Sequence, residues 1–220
     1  MIDFAAARKK MVENQLRTSA ITDRRLLMAM AQVPREQFVP EGRRDLAYID
    51  EPHLLTASGT RRYLAAPAPF GKLVQLATVN TSDKVLDLGC GTGYSAAVLA
   101  SLCDQVVAVE SDPALAAAAR ANLVALGIDN VEIVEAPIEG GARSQGPFDV
   151  IVLEGAVDLV SDALLAQLAD GGRLVALMRQ GAAAAAHLFV KSGRDVASRT
   201  AFNTTLPPLP GGEAPAEFVF

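Results

Sequence analysis

Cysteine and histidine are scarce: Cys90 and Cys103, His53 and His187 are all that a chain of 220 residues contains. Two thiols cannot lay out a disulfide framework, and so few Cys and His, widely spaced, do not make a metal cluster, so no metal is expected. Lysine and arginine form no block, and the net charge is -5, which argues against a nucleic-acid backbone as the main partner. No apolar run approaches the roughly 20 residues of a membrane helix, and Met1-Ile2-Asp3-Phe4 does not open a charged segment followed by an apolar one. The expectation is a cytoplasmic protein with neither membrane nor nucleic acid as partner. Nothing in the sequence bears on its oligomeric state.

What is present is apolar material: 50% of the residues are hydrophobic, enough for one sizeable core. We read one domain over residues 1–220, with N-terminal helices and a loop over 1–69, an α/β core over 70–180, and strands with a tail over 181–220. Met11, Val12 and Leu16 place a helix over Phe4 to Leu16, and Leu26, Leu27, Met30 and Val33 place a second, stopped by Pro34. Residues 34–69 show no periodicity, and a connection of that length is often functional. Leu73, Leu76 and Ala77 return to helical spacing. Short apolar runs then alternate with helical patterns: Val85-Leu86, a helix from Tyr94 to Leu102, Val106 to Val109, a helix from Pro113 to Leu126, Val131 to Val134, Val150 to Leu153, a helix from Asp162 to Leu168, and Leu174 to Leu177. That alternation specifies a mostly parallel sheet with helices on both faces. Beyond Gly181 the run Ala182 to Ala186 is helical by propensity, but Ser192-Gly193-Arg194-Asp195 suits a hairpin turn, and two antiparallel strands are favoured. The tail from Leu206 to Gly212 is extended or turning, and Phe218-Val219-Phe220 either adds a strand or caps the core.

The stretch that carries chemistry is Val85-Leu86-Asp87-Leu88-Gly89-Cys90-Gly91-Thr92-Gly93-Tyr94, an apolar strand running into a glycine-rich turn and a helix. Ligands of open α/β sheets bind at such carboxyl ends of strands. A dinucleotide fingerprint would place its third glycine at Tyr94, whereas the spacing here is Gly89-x-Gly91-x-Gly93, and no Gly-Lys-Ser/Thr follows for a P-loop. Asp87 before the turn suits a ligand carrying an ammonium and a sulfonium, as S-adenosylmethionine (SAM) does. Roughly 20 residues on, where an acidic side chain is expected to meet ribose hydroxyls, stands Glu110 at the end of Val106 to Val109. The cofactor-binding candidates are therefore Asp87, Leu88, Gly89, Cys90, Gly91, Thr92, Gly93, Glu110 and Ser111, with Glu135 and Ala136 after the third strand toward the adenine. Glu135 is otherwise a solvated loop residue. Glu154, after the fourth strand, is either a substrate contact or structural. Cys90 reads as a small residue tolerated beside a ligand.

These segments resemble the protein-L-isoaspartate O-methyltransferase family over nearly the whole chain. The likeness rests on Met11-Val12-x-x-Gln15-Leu16, Ile21-x-Asp23, Val33-Pro34-Arg35-Glu36-x-Phe38-Val39-Pro40 and Ala47-Tyr48. It continues through Asp87-Leu88-Gly89-x-Gly91-Thr92-Gly93-Tyr94, Glu110, Phe148-Asp149, Gly171-Gly172-Arg173-Leu174-Val175 and the Leu-Pro-rich tail. The resemblance implies a Rossmann-like SAM-dependent methyltransferase fold with an N-terminal helical extension, and a cytosolic repair enzyme that methylates the free carboxylate of isoaspartyl residues in damaged proteins, releasing S-adenosylhomocysteine. It also brings one departure. The family carries Thr-Ile-Ser-x-Pro before the helix that precedes the cofactor strand, its serine beside the reacting carboxylate. Here Tyr63-Leu64-Ala65-Ala66-Pro67 stands in that place, and Ala65 has no hydroxyl.

A carboxylate, with a reference pKa of about 4, is ionised at neutral pH and needs no general base to attack a methyl carbon. No catalytic residue is assigned on this reading; Tyr63, Ala65, Pro67 and Glu154 are the candidate substrate wall. Arg61 and Arg62 are the cations best placed in sequence to receive a carboxylate substrate, and His53 reads as a loop histidine. Two alternatives stand beside isoaspartyl methylation: a SAM methyltransferase of the same fold with another acceptor, and a SAM-binding protein without turnover.

Overall fold

The computed structural model describes residues 2–56, 59–180 and 183–212. Helix α1 (Phe4–Met11) is capped by Asp3, whose carboxylate accepts from the Ala6 amide, and runs on into a π-helical turn at Val12–Leu16. Helix α2 (Arg24–Gln32) is capped in the same way by Asp23 and ends before Pro34. The segment expected to be irregular holds two short 3-10 turns, Arg35–Gln37 and Glu41–Leu46, and a small antiparallel hairpin, β1 (His53–Leu54) with β2 (Tyr63–Leu64). His53 is thus a buried strand residue rather than a loop histidine. Helix α3 (Pro67–Ala77) starts earlier than the periodicity suggests, because Pro67 sits where a helix needs no amide donor.

The core alternates as expected: β3 (Lys84–Leu88), α4 (Tyr94–Ala100), β4 (Gln105–Glu110), α5 (Pro113–Ala125), β5 (Val131–Glu135), β6 (Phe148–Val157), α6 (Asp162–Leu165), β7 (Leu168–Gln180), β8 (Ala183–Ser192) and β9 (Asp195–Asn203). The seven-stranded sheet runs in the order β5-β4-β3-β6-β7-β8-β9, parallel from β5 to β7 and antiparallel for the last two strands. Alternate residues of each strand serve opposite faces. Val85, Val106, Ala108, Val150 and Val152 pack with Leu73 and Val74 of α3, Ala96 and Ala97 of α4, and Leu123 of α5. Leu86, Leu88, Val107, Val109, Ile151 and Leu153 meet Leu164 of α6, Ile138 of the turn after β5, and Leu209 of the tail.

Two elements depart from the periodicity, and a third, the alanine run, takes the strand state that the hairpin turn favours over its helical propensity. The helix expected over Asp162 to Leu168 is a single turn, since Leu168 already pairs with Phe148 as the start of β7. The alanine run from Ala183 is strand, because β7 and β9 hydrogen-bond it from both sides and tertiary pairing outweighs alanine's helix propensity. Strand β6 extends well past Leu153, and its register with β7 shifts between Val152 and Ala156, leaving Glu154 and Gly155 in the interruption. The tail crosses there: the Ala156 amide donates to the Pro207 carbonyl at 2.9 Å and the Leu209 amide to the Ala156 carbonyl at 2.8 Å. A Cβ on Gly155 would lie 2.8 Å from the Leu209 Cβ, so the crossing requires glycine. Phe218-Val219-Phe220 lies outside the described residues. No helix among the described residues is long and apolar enough to cross a membrane.

Arg173 of β7 ties this frame together. Its guanidinium donates to the carbonyls of Ala77 and Thr78 at the end of α3, to the Asp149 carbonyl, and to the Asp83 carboxylate at 2.6 Å. Arg173→Ala leaves these acceptors facing a partly buried gap and is expected to lower unfolding free energy by about 2–4 kcal/mol. Urea denaturation beside Arg120→Ala, a largely exposed control, measures it; equal midpoints for the two variants would contradict the clamp.

Candidate functional site

The parallel register brings three acidic side chains to the same edge of the sheet. Leu88 pairs with Val109 on one side and Leu153 on the other, so Asp87, Glu110 and Glu154 fall near the carboxyl ends of three adjacent strands. Asp87 and Glu110 are fully buried.

Glu110 is heavily bonded. Its Oε1 accepts the Ser111 amide at 2.9 Å and the Asp112 amide at 3.0 Å; its Oε2 accepts the Gly91 amide at 2.8 Å and the Arg62 Nη2 at 2.7 Å. The Arg62–Glu110 ion pair is buried on both sides. Arg62, expected to face a substrate carboxylate, therefore faces an internal one, which solvates it better than isolated burial would allow. Arg61 is exposed.

Asp87 Oδ2 accepts the Ser95 hydroxyl at 2.6 Å, while Oδ1 has no hydrogen-bond partner among the described residues. Burial pushes this carboxyl up to about 7, with the Ser95 bond opposing, the Glu110 charge adding and Arg62 opposing. Glu154 is likewise raised well above the usual carboxylate range by burial and then by Asp87, and its Oε1 is buried with no hydrogen-bond partner among the described residues. Cys90 is buried, its thiol pushed up by burial and the nearby carboxylates, so it is an inert small side chain rather than a nucleophile.

The glycine turn lies over these carboxylates. Gly89, Gly91 and Gly93 all have positive φ, which side-chain-bearing residues rarely adopt. A Cβ on Gly89 would lie 2.5 Å from Leu209 Cδ1 and 2.9 Å from Arg62 Nη2, and one on Gly91 would lie 2.7 Å from Leu55 Cδ1. Leu88 points to the opposite core, and Thr92 donates its hydroxyl to the Phe38 carbonyl at 2.5 Å. Beside Glu110, Ser111, Glu135, Ala136, Pro137 and Pro210 line a cleft of about 380 Å³. Glu135 itself is exposed, paired in register with Glu110.

The substrate-wall candidates sit on the other side of the turn. Ala65 is buried, Pro67 begins α3, and Tyr63 is half-buried on β2. Their anchor is Arg35, which sequence reading quoted within a motif but gave no role. Arg35 is fully buried, donates Nε to the Ala47 carbonyl and Nη2 to the Ala65 carbonyl, each at 2.7 Å, and lies 4.9 Å from the Tyr94 ring centre. His53 nearby is lowered to about 4 by burial and then the Arg35 charge, so it is neutral at pH 7. Leu55, Arg62 as a partner of Glu110, Leu209 and Ser95 were likewise missed; of these only Ser95, in the first turn of the helix that follows the glycine turn, carried a local signal.

The family model for protein-L-isoaspartate(D-aspartate) O-methyltransferase matches residues 6–213. The chain belongs to this family. A protein-L-isoaspartate O-methyltransferase of Koribacter versatilis is 40% identical over 172 residues, covering 78% of this chain and 76% of its own. Protein-L-isoaspartate O-methyltransferase 1 of Rhodopseudomonas palustris strain HaA2 is 37% identical over 214 residues, covering 96% and 85%. A solved protein-L-isoaspartate O-methyltransferase superposes with a TM-score of 0.81 at 25% identity over 93% of this chain and 66% of its own. A Plasmodium falciparum structure described as a complex with S-adenosyl-L-homocysteine superposes with a TM-score of 0.76 at 22% identity. The family is one of SAM-dependent O-methyltransferases, and the Rossmann-like fold is shared. The polar set of this chain fits that cofactor: an unpartnered buried carboxylate oxygen on Asp87, a carboxylate on Glu110 steadied by main-chain amides, and a glycine turn that admits close approach. In the conformation seen, Arg62, Leu55 and Leu209 lie against that turn.

The raised Asp87 has a sign that stability measurements read. Its folded value of about 7 exceeds the ordinary value near 4, so the folded protein holds a proton that the unfolded chain releases, and stability falls as pH rises through that interval. Asp87→Asn carries no such group. Its stability relative to the parent should grow between about pH 4 and pH 7 and level off above. Urea midpoints below and above that window test this; a difference independent of pH would show that Asp87 is not protonated in the fold.

Proposed function

We propose that this protein is a SAM-dependent carboxyl methyltransferase of the protein-L-isoaspartate (D-aspartate) type, acting on isoaspartyl residues of damaged proteins. On this proposal the whole chain works as one domain, residues 70–180 seating the cofactor and 1–69 supplying the acceptor side. A cytoplasmic setting belongs to it, supported by two free thiols, Cys90 and Cys103. The observation that carries the reading is the pair Asp87 and Glu110 at the ends of adjacent parallel strands, bridged by the turn Gly89–Gly93, within a chain matched to the family from residue 6 to 213.

SAM supplies an electrophilic methyl group on a sulfonium. Asp87 Oδ1 would receive the ammonium end and Glu110 the ribose hydroxyls, while Ser111, Glu135 and Ala136 border the cleft for the adenine. Leu88, Cys90, Thr92 and Gly93 shape the turn. The acceptor carboxylate is already ionised, so the protein's task is alignment and exclusion of water. Tyr63, Ala65 and Pro67 would form the wall that does this, held by the Arg35 bond to the Ala65 carbonyl. One observation favours a second reading: Ala65 is buried without a hydroxyl where the family has serine, which supports a different acceptor on the same cofactor seat.

Labelled methyl transfer from SAM to an isoaspartyl peptide, with the normal aspartyl peptide as control, tests the proposal. We expect isoaspartyl-selective transfer, raised by Ala65→Ser, and a loss of SAM affinity of about ten- to a hundredfold in Asp87→Asn, as removal of a charged hydrogen-bond partner gives. Transfer to neither peptide by a protein that binds SAM would overturn the acceptor and leave the second reading.

A further inference from the structure

Glu110 is full. A carboxylate offers about four lone-pair sites, and four donors at 3.0 Å or less take them: the amides of Gly91, Ser111 and Asp112, and Arg62 Nη2. The three amides belong to the turn and to the strand end and cannot leave without refolding it. The Ser111 hydroxyl adds a long contact to Oε1 at 3.5 Å, and Arg62 is the one side chain that bonds Oε2 among the described residues.

The segment bearing Arg62 enters as a unit. The Leu55 amide donates to the Arg62 carbonyl at 2.8 Å, which closes the mouth of the β1–β2 hairpin and aims both side chains at the glycine turn. Leu55 Cδ1 comes within 2.7 Å of where a Cβ of Gly91 would be, and Arg62 Nη2 within 2.9 Å of where a Cβ of Gly89 would be. The guanidinium also supplies the positive charge nearest three acidic groups, Asp87, Glu110 and Glu154. Among the described residues its Nε is buried without a hydrogen-bond partner.

We infer that Arg62 stands in for the cofactor: its guanidinium occupies the Glu110 oxygen that ribose hydroxyls would use, and cofactor binding requires it to swing out of the site. This rests on the proposed SAM seat. Arg62 is then an affinity-setting residue, because a ligand that binds only the open form has its apparent affinity reduced by the fraction of molecules that are open. Glu110 retains its three amide donors in either state.

Calorimetric titration with S-adenosylhomocysteine compares the parent with Arg62→Ala, both first shown folded by circular dichroism. With the open form below about a tenth of the population, Arg62→Ala should bind at least about tenfold more tightly. Binding by the variant alone would mean that the pair closes the site altogether, and supports the inference. Equal or weaker binding by the variant overturns it while leaving the SAM seat standing; binding by neither protein removes both. Should Arg62→Ala not fold, the parent still decides. A slowly exchanging arginine Nε–H signal in nitrogen NMR, assigned by its loss in Arg62→Lys, should vanish or shift on saturation with S-adenosylhomocysteine. A signal unchanged at saturation overturns the inference.

Discussion

Three carboxylates buried at the ends of neighbouring parallel strands set the terms for everything around them. Taking a carboxylate out of water costs several kcal/mol unless it is bonded, paired or protonated. The site uses all three remedies. Glu110 is bonded by three amides and a guanidinium, Asp87 leans on Ser95 and on a raised affinity for protons, and Glu154 remains under-bonded and raised. The glycine turn exists in this form because the Gly91 amide must reach Glu110 Oε2, which fixes the turn to β4 as well as to β3. An edge of this composition attracts any cation within reach, whether from a ligand or from the chain itself.

The frame that presents the edge was largely readable from the chain. Buried parallel strands appear as short apolar runs ended by glycine or an acid, and the distance from Gly89 to Glu110 follows from one strand-helix-strand unit. What covers the edge was not readable. The β1–β2 hairpin has two residues per strand, too few for any periodicity, and Arg62 pairs with a carboxylate 48 positions away. The alanine run is helical by propensity, yet its state is decided by the two strands that flank it, and the turn at Ser192 to Asp195 is the signal that favours strands. The length of β6 was lost for a related reason: Gly155, which looks like a terminator, continues the strand through a bulge so that the tail can cross.

The motif Val33 to Pro40 shows how a signature far from the chemistry comes to be part of it. Arg35 bonds Ala47 and Ala65, the Glu36 carboxylate accepts from Arg8 and from the Tyr48 hydroxyl, and Phe38 offers its carbonyl to Thr92 and its ring to Tyr94. One short segment thus touches the N-terminal helix, Ala65 of the proposed acceptor wall and the glycine turn. Arg35, Glu36 and Phe38 each have partners in a different part of the fold.

That arrangement also localises the motion which Arg62 would have to make. Arg62, Tyr63, Leu64 and Ala65 are consecutive, so a shift at the cofactor edge is passed along β2 toward the acceptor wall. At Ala65 it meets a carbonyl held by a fully buried guanidinium. Upstream, among the described residues, the contacts are lighter: Thr56 Oγ1 donates to the Thr60 carbonyl and accepts from the Arg62 amide. Movement is therefore cheapest on the Thr56 side, with Ala65 as the fixed end. On our inference this geometry lets the guanidinium leave Glu110 while the wall that would align the acceptor stays in place, so that opening one half of the site does not dismantle the other.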